Sequence, residues 1–232
     1  MEMQAFWEAL QFVVTGNDEV WAIAWLTIQV SGIATLISVA IGLPFGIWLA
    51  LTDFPGKKLI YSFINYGMGF PPVVAGLMIS LLLWRYGPLG NLSLMYTPTA
   101  MILAQTMIAM PIIIGFSFTA IMSVNPLLRY QFLSLGAKKW QADWLLIKEA
   151  RLGLLAAVIA GFGRVSAEVG ASMMVGGNIK GQTRVLTTAT VMEVGKGNYE
   201  MALAISAVLL MIAYSVVLLL TYLQHERKRE IR

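Results

Sequence analysis

The chain is predicted to be an all-α polytopic membrane protein, and two observations carry that prediction. Of its 232 residues 58% are hydrophobic and only 12% charged, and its mean hydropathy is +0.75. That charged share is about half of what a soluble domain carries. The charges also cluster: none lies between Glu19 and Asp53, Lys58 and Arg85, Arg85 and Arg129, or Glu200 and Glu226. A helix needs about 20 apolar residues to cross the hydrocarbon core, and every one of these gaps is longer.

Five spans follow, at roughly 21–51, 59–84, 98–122, 152–175 and 201–223. The first is over-long and contains Pro44, which predicts a tilt or kink. Pro71-Pro72 and Pro111 interrupt the second and third. Interrupted spans suit a cavity lining, where freed backbone groups find polar neighbours or water; ordinary packing kinks are the alternative. Residues 4–14 read as a short amphipathic helix at the lipid interface, too short to cross. The organisation is therefore an interfacial segment (1–19), a transmembrane domain (20–223) with a cytoplasmic loop at 123–150, and a basic tail (224–232).

Basic residues orient the bundle. With the tail HERKREIR inside, eleven of the sixteen Lys and Arg fall in internal segments, and only Arg85, Lys180, Arg184 and Lys196 are external. Arg164 remains, within the fourth span. The first 56 residues carry no Lys or Arg. The N-terminus is therefore expected outside, and no cleaved signal peptide is expected. The basic pI near 9.4 reflects topology, with no nucleic-acid partner implied.

Composition excludes several chemistries. The chain has no cysteine, and its one histidine, His225, lies in the polar tail. Disulfides, thiolate catalysis and a histidine metal site are thus ruled out, and no cofactor is expected. The stretch from Gly176 to Thr183 imitates a phosphate-binding loop, but Gln182 stands in the lysine's place and no strand precedes it. It is not an ATP site.

Two regions carry function. In the loop 123–150, Leu133, Gly136, Ala137, Trp140, Trp144 and Ile147 recur at helical spacing, as on one amphipathic helix that docks a partner or rests on lipid headgroups. In the fourth span, Arg164 and Glu168 stand four residues apart, so an unbroken helix places them on one face as an ion pair. Charges at membrane depth face a bundle interior or water. The pair either lines a path for an anion or locks helices together. The segment 176–200, with three basic residues, two glutamates and Asn178, either closes an external mouth or is a structural loop.

The motif L-G-A-x-x-W, followed by A-R-x-G-L-L, resembles the cytoplasmic signature of ABC importer permeases. Tyr130, Gln131 and Phe132 stand where that family has E-A-A, and Gly136 matches its glycine; the glutamate is missing, and Lys148 replaces the usual proline. GFPPVVAG (69–76), YGPLG (86–90), TPTAMILAQT (97–106), G-R-x-x-x-E-V-G-A-x-M-M-V-G-G-N-I (163–179) and T-R-V-L-T-T-A (183–189) are similar to the permease subunit of tungstate importers, relatives of the molybdate and sulfate permeases.

The resemblance implies a non-catalytic type I importer subunit that works as a homodimer in the plasma membrane of a prokaryote. It implies a separate ATPase, which binds ATP and Mg, and an extracytoplasmic oxyanion-binding protein. It places Tyr130, Gln131, Phe132, Leu133, Leu135, Gly136, Ala137, Lys138 and Trp140 in the ATPase-docking helix, and Arg164, Glu168, Met173, Met174 and Asn178 along the translocation pathway or its gate. Molybdate or sulfate permeases are the alternatives within transport. A membrane-embedded enzyme using Glu168 is the alternative outside it, and a structural scaffold is a third class.

Overall fold

A computed structural model describes the backbone of residues 18–229 and the side chains of residues 19–222; the expected interfacial helix at 4–14 lies outside the described residues. Among them there are ten α-helices and no strand: α1 (Asp18–Leu51), α2 (Lys57–Met68), α3 (Pro72–Leu83), α4 (Pro98–Met122), α5 (Pro126–Ser134), α6 (Lys139–Glu149), α7 (Arg151–Ser166), α8 (Gly170–Gly176), α9 (Leu186–Gly195) and α10 (Tyr199–Arg229). A 3₁₀ turn, Gly90–Leu92, lies between α3 and α4.

Among the described residues, three helices are long and apolar enough to cross a membrane whole: α1, α4 and the Tyr199–Tyr222 part of α10. The other two expected spans are bent pairs. The stretch 59–84, read from the sequence as one interrupted span, divides into α2 and α3 at an angle of 100°. Prolines set the break. Pro72 opens α3 and holds Pro71 extended, at φ −63° and ψ 122°, because its ring excludes the helical region for the preceding residue. The stretch 152–175 divides into α7 and α8 at 58°, across residues 167–169. Pro44 and Pro111, by contrast, lie inside continuous helices.

The centre of the bundle is α4, which packs against α1 on one side and α7 on another, while α3 packs on α8. The largest buried cluster joins Val30, Ala75, Ala100, Met101, Ala104, Ala171 and Val175. Helices surrounded by lipid gain little from apolar burial alone, so close approach of small residues supplies the attraction. At the α3–α8 crossing a Cβ on Gly76 would lie 2.7 Å from the Ala171 Cα, so only glycine fits there. The start of α4 follows ordinary helix chemistry: Pro98 occupies its first turn, and the Thr97 hydroxyl accepts the Ala100 N–H at 3.4 Å.

Candidate functional site

The loop after α4 folds as a helical hairpin rather than as the one amphipathic helix expected. Asn125 caps α5 by accepting the Leu127 N–H at 2.9 Å. The helix ends in a Schellman turn: the Ala137 N–H bonds the Phe132 carbonyl at 3.1 Å, and the Gly136 N–H bonds that of Leu133 at 3.0 Å. Gly136 takes φ +86°, in the left-handed region that side chains disfavour. The spacing Leu133–Gly136–Ala137–Trp140 is therefore helical in sequence only, because the chain reverses within it. The Lys138 N–H then donates to Gln141 Oε1 at 2.8 Å, opening α6.

One brace closes this hairpin, and the sequence pattern did not reveal it. Arg129 of α5 reaches Asp143 of α6, with Nη2 at 2.8 Å and Nε at 2.9 Å from the same carboxylate oxygen. Around it Leu127, Tyr130, Leu135, Trp140 and Trp144 are exposed, as are Gln131, Gly136 and Lys138. Phe132, Leu133 and Ala137 are half-buried. A patch of large apolar groups on a polar loop marks a contact surface.

The second region centres on the break between α7 and α8, and here the expected ion pair is corrected. Arg164 and Glu168 form no salt bridge. The helix ends at Ser166, so the four-residue spacing no longer puts the two on one face. Arg164 sits in the last turn of α7, where the helix dipole favours a cation. Glu168 is buried at the start of α8, and its Oε1 accepts the Ala171 N–H at 2.9 Å. Each charge thus stands at a favourable helix end, and they do not neutralise each other directly.

Polar side chains from three helices hold α8 and the break before it. Gln105 of α4 donates to Ser172 Oγ at 3.1 Å, and Ser80 of α3 donates to the Met174 carbonyl at 3.4 Å. Thr187 of α9 donates to the Glu168 carbonyl at 3.0 Å. Met173 is exposed and Met174 half-buried. Asn178 lies in the following turn at φ 52°, where its Oδ1 accepts the Thr188 hydroxyl at 2.9 Å. That turn is tied to α1 by Glu19, which pairs with Lys180 at 2.7 Å and with Arg184 at 3.6 Å. In α9, Glu193 accepts from Lys196 at 2.8 Å and from Asn198 at 3.1 Å. The Lys196 bond holds the Glu193 carboxyl below its ordinary range, against the opposing effect of burial. Residues 176–183 run from a helix end into this turn, which is not the strand-to-helix setting of a phosphate loop.

A bent helical bundle with a braced, apolar-faced hairpin is the architecture of a membrane protein that offers a contact surface beside its spans. The chain belongs to the family of inner-membrane components of binding-protein-dependent transport systems, whose profile matches residues 42–230. It is 38% identical to a tungstate uptake system permease protein of Peptoclostridium acidaminophilum over 223 residues, covering 96% of this chain and 98% of that one. It is 41% identical to a probable anion ABC transporter permease protein of Haloferax volcanii, covering 84% and 86%. An inward-facing structure of the MetNI methionine ABC transporter shares the fold, with a TM-score of 0.65 at 19% identity, covering 92% of this chain and 96% of that one. The protein is thus a multi-pass, non-catalytic permease subunit of an ABC importer; hydrolysis belongs to a separate ATPase, and a binding protein supplies the substrate. The enzyme and scaffold classes fall away.

Proposed function

We propose that this permease forms the path for an oxyanion, tungstate first, and that two copies assemble to enclose it. The observation that carries the reading is Arg164. It is half-buried in a bent span, and none of the described residues gives it a salt bridge. Its neighbours Gly163 and Ala167 are small and exposed. A guanidinium at membrane depth is costly against lipid, so that face borders water or a second copy. In a two-fold assembly both Arg164 side chains would border one lumen and give it a positive field suited to a dianion. A field of this kind attracts without binding tightly, as transport requires.

The resemblance of the α5–α6 hairpin to the family signature supports ATPase docking through Tyr130, Gln131, Phe132, Leu133, Leu135, Gly136, Ala137, Lys138 and Trp140. Met173, Met174 and Asn178, which follow the break, would form the gate, and Glu168 would fix its geometry. The charge bias orients the N-terminus and the 176–200 segment outward, toward an oxyanion-binding protein, and the hairpin and tail inward, in the plasma membrane of a prokaryote. The chain itself needs no cofactor in this scheme, because ATP and Mg belong to the ATPase. Two relatives named for tungstate match at 38% and 33% identity over 96% and 97% of this chain. Those named for molybdenum from Haloferax volcanii and Escherichia coli match at 32% and 26% over only 68% and 75%, which favours tungstate.

The test is ATP-dependent uptake into vesicles holding the permease, its ATPase and its binding protein. Tungstate uptake that falls at least about tenfold in Arg164→Gln, with assembly intact, is expected. Preferential uptake of sulfate, or unchanged transport by the variant, overturns the reading.

A further inference from the structure

The geometry points to a built-in lipid site, in which a single acyl chain fills a groove between α1, α7 and α10. The groove has a volume of about 240 Å³, and its walls expose almost no polar atoms. They include Thr27, Ser31, Gly32 and Thr35 of α1, Phe162 of α7 and Ala213 of α10. Thr27 and Thr35 carry hydroxyls, yet they present an apolar surface for a clear reason. Thr27 donates to the Ile23 carbonyl at 2.8 Å and accepts the Leu186 N–H at 2.9 Å, while Thr35 donates to the Ser31 carbonyl at 2.7 Å. These two threonine hydroxyls are turned into the backbone and their methyl groups are left to form the wall, while Ser166 of α7 lines the same groove with its Oγ buried and without a hydrogen-bond partner.

The groove exists because α10 stands off from the body. Only 17% of its most apolar stretch is buried, against 61% for α4. A Cβ built on Gly32 would meet no atom within 4 Å, so the α1 wall is open where a neighbouring helix would normally press. The cavity runs from Thr27 to Leu36 on α1 and from Leu209 to Leu220 on α10, both within crossing segments. At 1.5 Å per residue these are stretches of about 14 and 17 Å.

Size selects the occupant. A helix of a second copy, about 10 Å across, would displace on the order of 1,100 Å³ over 14 Å, more than the groove's whole open volume of about 770 Å³. A hydrocarbon chain with apolar contacts at about 4 to 4.5 Å fills on the order of 200 Å³ over the same length. Water is disfavoured, since an apolar cavity of about 150 Å³ stays dry and takes up apolar ligands. At membrane depth the acyl chain is the available ligand of that chemistry. It seals α10 to α1 and α7, and so to the helix that carries Arg164.

The test uses the intact permease in phosphatidylcholine vesicles that contain a lipid with a mid-chain diazirine. After illumination, adducts are mapped by mass spectrometry. Adducts concentrated on 27–36 and 209–220 are expected, falling at least about fivefold in Ala213→Phe, which fills the groove, and unchanged in Leu210→Phe, at an exposed position outside it. Should Ala213→Phe not fold, Gly32→Leu fills the groove from the opposite wall and carries the same expectation. Equal labelling of a folded groove-filling variant and the parent overturns the proposal. So does ready disulfide formation between two copies through Gly32→Cys, which is unambiguous in a chain without native cysteine and would mean that a second copy covers the groove.

Discussion

Glu168 holds the Ala171 N–H at 2.9 Å and so ties its charge to the first turn of α8, leaving Arg164 on the far side of the helix break. A buried carboxylate in this position satisfies a backbone donor that the helix cannot. Its loss therefore acts on the bend itself, whereas loss of Arg164 acts on the field around it.

This separation predicts independent effects. Glu168→Gln keeps an oxygen acceptor for Ala171 and should retain assembly better than Glu168→Ala. The alanine variant leaves a buried N–H unpaired, at a cost of about 1–3 kcal/mol. In a double-mutant cycle of Arg164→Gln and Glu168→Gln, read by thermal unfolding in detergent, the coupling should stay below about 0.5 kcal/mol. A coupling well above 1 kcal/mol would show a direct ion pair after all.

Gly136 gives a graded test of the hairpin. Its φ of +86° makes Gly136→Ala cost roughly 1–2 kcal/mol locally, while Gly136→Asn tolerates the left-handed region better. A Cβ there meets no atom of this chain within 4 Å, so the effect is backbone strain, not crowding inside the subunit. Co-purification of the ATPase should fall in the order Gly, Asn, Ala. If Ala and Asn bind the ATPase equally well, the turn geometry does not govern docking.

Topology is checked with cysteines placed at Lys196 and Lys138. An impermeant thiol reagent added to intact cells should label the first, and should reach the second only after permeabilisation. Labelling of the second in intact cells would invert the orientation.

Glu193 predicts an acid-dependent weakness. Its carboxyl titrates below the ordinary glutamate range because Lys196 donates to it, so the native chain favours the ionised form. The contribution is complete above the unfolded-state pKa and disappears as pH falls through the lowered native value. Lys196→Met should flatten the acid side of the stability profile and leave neutral-pH transport within about twofold. An unchanged profile would remove the bond from the account.

The spans were legible because charge gaps report membrane crossing directly, and the 69–72 interruption because prolines punctuate it. The second break was not, since residues 167–169 (Ala-Glu-Val) carry no proline, and Gly170 alone is a weak signal. That omission produced the false ion pair. The docking stripe misled for a related reason: the helical spacing passed across Gly136, whose left-handed φ reverses the chain, and periodicity carries no sign of a reversal. The Arg129–Asp143 brace was hidden as well, because only the folded hairpin brings positions fourteen apart together.

The break between α7 and α8 also acts as a short lever. Seven helical residues span about 10 Å. Straightening the 58° bend would thus swing the Gly176 end through about 10 Å. That sweep would strip away the bonds from Gln105 and Ser80, which reach α8 from two different helices, while Thr187 holds the Glu168 carbonyl at the pivot. Under the gate reading proposed above, the arm would stay seated until its neighbours moved with it, and an anion would meet a stepwise barrier where a loose flap would leak.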